Sequence, residues 1–429
     1  MFLNFCIFIF IIIFTLFSIK KERASIFLII LLFPTYLVRF KFFEIPTTLL
    51  EIMLISLFIS FAYQIIKNRI DIKFYNFFFV LFGLFIVSCI SLKISDNSFQ
   101  SLGIFKSYII EPMLFFIILI NRLKTKQDLN LIIDALGLSA IYLSIYAIFQ
   151  KITGVGISQS DPLWTAKATR RVTSVFEYPN ALGLYIAPII TLYIGKFVEF
   201  IKNKKLRKNK FLLIFNLAVI ILGILSIIFA KSEGALVAVI ASIIFILFLY
   251  TKDKLNFVFA FIILITILFF IPSTQKILNN KILLNDYSGK IRYQMWVETK
   301  NMLKDNFLFG AGLNNYQNKI QPYKLNKNYE TFLFPHNIFL NFWSELGFFG
   351  LIIFLIIFYI FFKKCYLLKD KNKTLSIAIS ASMFALIIHG LVDVPFFKND
   401  LSLLFWTIIS LIILLERIDD NEIEVIKMN

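Results

Sequence analysis

The chain has 429 residues, 59% of them hydrophobic and only 16% charged, where soluble domains carry roughly 25% charged residues. At a mean hydropathy of +0.82, that apolar content would fill about twelve or thirteen membrane-crossing helices of roughly 20 residues each. A soluble enzyme, a disordered chain and a disulfide scaffold are excluded, and the net charge of +18 points to loops at an anionic membrane face, with no nucleic-acid partner.

Apolar runs long enough to cross fall at 2–19, 24–38, 47–66, 74–92, 105–120, 129–150, 181–200, 211–229, 235–250, 256–271, 337–362, 374–392 and 402–416. They predict an all-α polytopic membrane protein, one transmembrane domain over 1–429 with twelve or thirteen spans, thirteen being preferred. The start, Met1-Phe2-Leu3-Asn4, lacks a basic n-region and reads as a retained first span rather than a removable signal peptide. Cys6, Cys89 and Cys365 share no motif spacing and read as buried or lipid-facing thiols, with no disulfide or metal site.

Basic residues concentrate in alternate loops. Residues 20–23, 67–73, 121–128, 201–210, 251–255 and 363–373 hold 22 of the 44 Lys and Arg, which predicts that all six loops, and the C-terminus, are cytoplasmic. The remaining loops then face outward. Two are sizeable: 151–180, and 272–335, which carries nine basic residues against four acids. Within the second, Ile291, Met295 and Met302 recur at roughly helical spacing beside Trp296, predicting an amphipathic helix on the outer surface. Phe309-Gly310-Ala311-Gly312 then breaks it.

The chain has two histidines, and both fall at the outer rim of consecutive spans. His336 opens Pro335-His336-Asn337, and His389 precedes Asp393 by four residues, so a helix running through Asp393 would set the two on one face. Histidine suits general-base work near neutral pH. Arg170 and Arg171 stand before the seventh span and Arg292 in the surface helix. A planar guanidinium grips phosphate through two parallel bonds, although lipid-headgroup anchoring is the alternative for any one of them. Lys231 either joins these arginines or pairs with Glu233. Charges within spans are costly and usually functional; of Glu51, Glu111 and Glu345, the last lies two turns below His336 and supports that site or satisfies a neighbouring helix. No glycine-rich phosphate loop, Asp-x-Asp pair or His/Cys cluster occurs, so neither cofactor nor metal is expected. Energy must come from an activated substrate already in the membrane, or none is needed.

These residues resemble the O-antigen ligase/O-antigen polymerase superfamily, bacterial glycosyltransferases that use polyprenyl-diphosphate-linked sugars. His336-Asn337 followed by Gly347-x-x-Gly350 is similar to the ligase branch's motif after its large periplasmic loop. Ser288 to Trp296 with Phe309 to Asn314 resembles the family's loop helix and glycine turn, Arg171 with Phe176, Pro179 and Asn180 its arginine motif, and His389-Gly390-Leu391-Val392-Asp393-Val394-Pro395 its closing motif. Many relatives have Ser-Arg-Gly where this chain has Ser232-Glu233-Gly234.

The resemblance implies a multi-pass enzyme of the bacterial inner membrane with its site facing the periplasm. A glycan would pass from a polyprenyl-diphosphate carrier to a hydroxyl of lipid A-core without a metal. His336 would act as base and Arg171, Arg292, Arg170 and Lys231 would hold the diphosphate, with Asn337, Glu345, His389 and Asp393 in support. A polymerase, whose acceptor is another carrier-linked glycan, is the alternative within the class. A transporter or flippase is the alternative outside it, and would place ionisable residues near the bilayer midplane.

Overall fold

The computed structural model describes residues 2–67, 72–74, 76–96, 98–202, 209–270, 284, 286–326 and 330–428. Arg69, Lys204, Lys205, Arg207 and Lys208 of the basic loops lie outside the described residues, as do 271–283, 285 and 327–329 of the long loop.

Helices α1 (Phe2–Lys20) and α2 (Glu22–Leu31) lead into a hairpin of β1 (Arg39–Phe42) and β2 (Ile45–Thr48). Then come α3 (Leu49–Ile66), α4 (Phe78–Ile94), α5 (Ser98–Ile104), α6 (Glu111–Arg122), α7 (Lys126–Thr153), α8 (Pro179–Lys202) and α9 (Lys210–Ala230). The chain continues with α10 (Glu233–Tyr250), α11 (Lys254–Phe270), α12 (Tyr287–Asp305), α13 (Ile338–Leu368), α14 (Lys373–Gly390) and α15 (Asn399–Met428). Among the described residues, 9 helices are long and apolar enough to cross a membrane, with shorter apolar helices at Asn4–Lys20, Phe78–Ile94 and Lys254–Ile263. The chain is thus an all-α polytopic membrane protein.

Two local features depart from the sequence reading. The run 24–38 is not one long helix: α2 gives way to a 3-10 turn over Phe33–Leu37, because Pro34 has no N–H with which to continue an α-helix. The segment still joins the two ends of the bundle, since Glu22 pairs with Arg122 and Arg23 with Asp128 at one, and Tyr36 faces Lys398 at the other. The hairpin has no counterpart among the predicted elements. Phe43 and Glu44 both take positive φ, 46° and 65°, as a two-residue turn matched to the twist of its strands requires, and Arg39 pairs with Thr48 in register.

Small residues set the centre of the bundle. An added Cβ on Gly195 of α8 would lie 2.5 Å from the Ala378 backbone, so α8 and the Ser- and Ala-rich α14 approach closely, as small residues permit in lipid. Helix α15 is buried all round from Leu401 to Leu415, where only Ser402, Thr407 and Ser410 interrupt the apolar run, the expected place for such a helix. At one end, Arg23–Asp128 (2.6 Å) and Lys364–Glu416 (2.5 Å), with Arg417 donating to the Ile120 and Leu123 carbonyls, gather loops 20–23, 121–128 and 363–373. The opposite end carries the hairpin, segment 154–178, α12 and residues 306–326 and 330–337. Cys6 is exposed, Cys89 half-buried and Cys365 buried, each as a free thiol.

Candidate active site

Arg171 is positioned by a residue the sequence did not single out. Buried Gln150, in the last turn of α7, accepts from the Thr173 and Ser174 amides (3.0 and 2.7 Å) and donates to the Gly156 and Ser174 carbonyls (2.6 and 2.8 Å). One amide side chain thereby satisfies four backbone groups of the 156–174 segment, groups that would otherwise be costly to bury. Arg171 then reaches the end of α9, with Nε donating to Ala230 O (3.0 Å) and Nη2 to Lys231 O (3.3 Å) and to Asn180 Oδ1 (3.4 Å). Burial draws its guanidinium below its usual range, against the pull of Glu233 and Asp161. Arg170 points elsewhere: its Nη1 donates to Lys151 O (2.9 Å) and Ile152 O (3.3 Å), closing the C-terminus of α7. It takes no part in the cavity that Arg171 borders.

That cavity, of about 470 Å³, is lined by Arg171, Asn180, Lys231, Glu233, Arg292, His389 and Asp393, with the Asp286–Ser288 start of α12. Three cations from three separate elements meet there. Lys231 ends α9 with φ 50° and donates through Nζ to Thr169 O (3.2 Å). Gly234 makes room for His389, because a Cβ there would sit 2.9 Å from the imidazole Cδ2. His389 is buried and its Nδ1 has no hydrogen-bond partner.

Asp393 does not share a helix with His389. Helix α14 stops at Gly390, close against Ile338 and Pro395, and the chain turns so that the Asp393 carboxylate meets the other histidine. Oδ1 of Asp393 lies 3.3 Å from Nδ1 of His336, an ion-pair contact outside hydrogen-bond geometry, and accepts from the Val394 amide (2.9 Å). Burial alone would raise the Asp393 pKa. The proximity and charge of His336, the charge of His389 and the Val394 N–H outweigh it and hold the group at about 2.

His336 itself has φ 47°, an uncommon backbone conformation for a side-chain-bearing residue. Its neighbours hold it there. Trp296 of α12 donates to Pro335 O (3.0 Å), Phe332 meets the imidazole edge-on at 5.3 Å, and Asn337 caps α13. The Asn337 Oδ1 accepts from Phe339 and Leu340 amides, 3.0 Å each, while Nδ2 donates to Leu391 O at 3.0 Å. Asn337 thus ties the start of α13 to the turn that carries Asp393.

Glu345 belongs to a different structure. Gly347 interrupts α13 with φ 71°, and the glycine turn after α12 packs into the break. The Ala311 amide donates to Ser344 O (2.6 Å), Phe348 N to Leu308 O (3.0 Å) and Asn314 N to the Glu345 carboxylate (2.5 Å). Only glycine fits at 347, where a Cβ would lie 2.2 Å from Leu308 O. Of the two roles open to Glu345, it satisfies its neighbours and does not touch His336. Lys398 was not singled out at all. Its Nζ lies 5.4 Å from the Tyr36 ring centre and 5.0 Å from those of Phe176 and Tyr178, beside Asp400, Glu177 and Asp393, and burial lowers its pKa. Three aromatic rings from two distant segments make this cage, a pattern no local motif displays.

The fold and site define a polytopic membrane protein with a cationic cleft and a His–Asp pair at one end of its bundle. Residues 218–355 match the O-antigen ligase family. This similarity supports a place in the O-antigen ligase/polymerase superfamily and, broadly, an O-antigen ligase-type glycosyltransferase. The match includes Lys231, Arg292, His336, Asn337 and Glu345, while Arg170, Arg171, His389 and Asp393 lie outside it. No curated protein matches the chain.

Proposed function

We infer that this protein transfers a glycan from a polyprenyl-diphosphate carrier to an acceptor hydroxyl on lipid A-core, at the periplasmic face of the bacterial inner membrane. The observation that carries the reading is the His336–Asp393 contact beside a cavity bordered by Arg171, Arg292 and Lys231. Asp393 at Nδ1 favours the tautomer with the proton on that nitrogen and leaves the Nε2 lone pair for the acceptor. As the acceptor O–H gives its proton to Nε2, its oxygen bonds to the anomeric carbon and the bond from that carbon to the diphosphate oxygen breaks. Arg171 and Arg292 meet the negative charge that accumulates on the departing diphosphate. Arg171 brings a guanidinium already oriented by Ala230, Lys231 and Asn180, so little reorganisation accompanies the reaction. Glu233 leaves Lys231 as the cation nearest the position where many relatives have arginine.

His336→Ala, expressed in a deletion strain and assayed in membranes, is expected to lower transfer by about 10²–10⁴-fold, the usual contribution of a general base, with the protein still inserted. Transfer at the wild-type rate overturns the assignment. The His-Asn…Gly-x-x-Gly spacing favours a ligase over a polymerase. Deleting a ligase strands long polymer on the carrier lipid, and deleting a polymerase leaves single repeats on the acceptor.

A further inference from the structure

A second cavity lies at the other end of the bundle. Helix α10 begins beside His389 and runs 18 residues to Tyr250, roughly 27 Å at 1.5 Å per residue. Its far end, with the 251–254 turn and the ends of α13 and α14, encloses about 520 Å³, within the range of ligand sites. Lys254, Lys369 and Lys373 line its mouth together with Asp370, so the basic charge there exceeds the acidic. Each ammonium sits against a ring: Lys254 at 4.6 Å from the centre of Phe248, Lys369 at 3.5 Å from Tyr366 and Lys373 at 5.6 Å from Tyr250. Such mutual repulsion is relieved by a bound anion.

Phe245 and Phe248 form the inner wall of this mouth and also border a groove of about 320 Å³ between α10, α11 and α14. That groove is lined by apolar side chains only, Ile244, Phe257, Phe261 and Phe384 among them. Val258 in it, and Phe259 and Ile262 beside it on α11, are exposed at the apolar outside of the bundle. A soluble anion would leave the groove unfilled, and a neutral lipid would leave the basic charge in excess of Asp370 unmet. One class of molecule meets both demands.

We propose that the mouth holds the phosphate of an anionic membrane phospholipid while one acyl chain lies along the Phe257–Phe384 groove. Basic pockets between transmembrane helices recognise such headgroups by charge. The site stands apart from the glycan-transfer reading and holds whichever way that reading falls.

The test is native mass spectrometry of the full-length protein in mild detergent, titrated with phosphatidylglycerol or phosphatidylcholine. Phosphatidylglycerol is expected to be retained at least tenfold better. The combined Lys254→Gln, Lys369→Gln and Lys373→Gln variant should lose that preference, and Ile244→Trp, which fills the groove, should weaken retention at least fivefold. If the triple variant aggregates, Lys369→Gln with Lys373→Gln, both on the rim, carries the test with an expected loss of at least threefold. Equal retention of the two lipids, or unchanged retention by the lysine variant, overturns the proposal. So does displacement of the lipid by inorganic phosphate with no effect of Ile244→Trp, which would mark a site for a soluble anion.

Discussion

Asp393→Asn is the most direct probe of the histidine pair, because it removes one charge and preserves shape. At 3.3 Å, a carboxylate and an imidazolium attract by about 5 kcal/mol in an effective dielectric of 20. The His336 side chain is 28% exposed, and solvent screening reduces this to about 2–3 kcal/mol. The depressed Asp393 pKa has the same sign, although His389 and the Val394 N–H contribute to it as well. In the proposed transfer the imidazole gains charge as it takes the acceptor's proton, so the loss falls on the transition state. Initial rates of transfer in membranes, normalised to inserted protein, should drop about 30- to 150-fold. His336→Ala with Asp393→Asn should be no slower than His336→Ala alone, because two residues acting as one unit are not additive. Independent, multiplying effects, or full-rate transfer by the Asp393→Asn variant, would refute the pairing. The sign of the pH dependence is also fixed. A depressed carboxylate pKa contributes stability that is present above the unfolded value near 4 and is lost as pH falls through about 2, so Asp393 contributes no inflection between pH 5 and 8.

Three further outcomes are expected. Gly347→Ala forces a side chain into a conformation (φ 71°, ψ −176°) that essentially only glycine adopts, at a cost of about 1–3 kcal/mol, and drives a methyl into Leu308 O, so thermal unfolding in detergent should fall by several degrees; an unchanged midpoint would show that the break tolerates a side chain. Arg170→Ala should keep transfer within about threefold while costing about 1 kcal/mol from lost carbonyl bonds, whereas Arg292→Ala should lose transfer by at least a hundredfold; the reverse order in the same membrane assay would exchange their roles. In a background with Cys6, Cys89 and Cys365 replaced, Gln321→Cys should react with an impermeant thiol reagent in outer-membrane-permeabilised cells and Lys252→Cys should not. Protection of Gln321→Cys would reverse the orientation.

Long apolar runs were legible in the sequence because lipid demands about twenty residues wherever the chain crosses, and α3, α7, α9 and α13 fall where those runs are. His336 and Arg171 stood out by scarcity and by their place at a rim. What stayed hidden was pairing at a distance. The i,i+4 spacing of His389 and Asp393 suggested a partnership, yet α14 ends at Gly390 and gives the carboxylate to a histidine 57 positions earlier in the chain, 393 − 336. Gln150, Lys398 and the hairpin act through segments far apart in sequence. Arg170 and Arg171, adjacent and chemically identical, part ways because alternate backbone carbonyls claim them.

The break at Gly347 also bears on how high the histidine stands. Residues 348–368 alone extend about 31 Å at 1.5 Å per residue, already the thickness of a hydrocarbon core. Around the break, Phe307 packs on Trp343 (5.2 Å) and Phe348 (4.7 Å), and the Trp343 indole donates to Phe307 O. A tryptophan among other aromatic rings is the usual marker of the membrane–water boundary. The residues from 338 to 346 then form a pedestal up to about 13 Å long beyond that thickness. Glu345 stands in that pedestal, which accounts for a carboxylate that a count of apolar residues had placed inside the bilayer. His336 sits on top of it, at the level where the proposed lipid-linked donor would present its sugar.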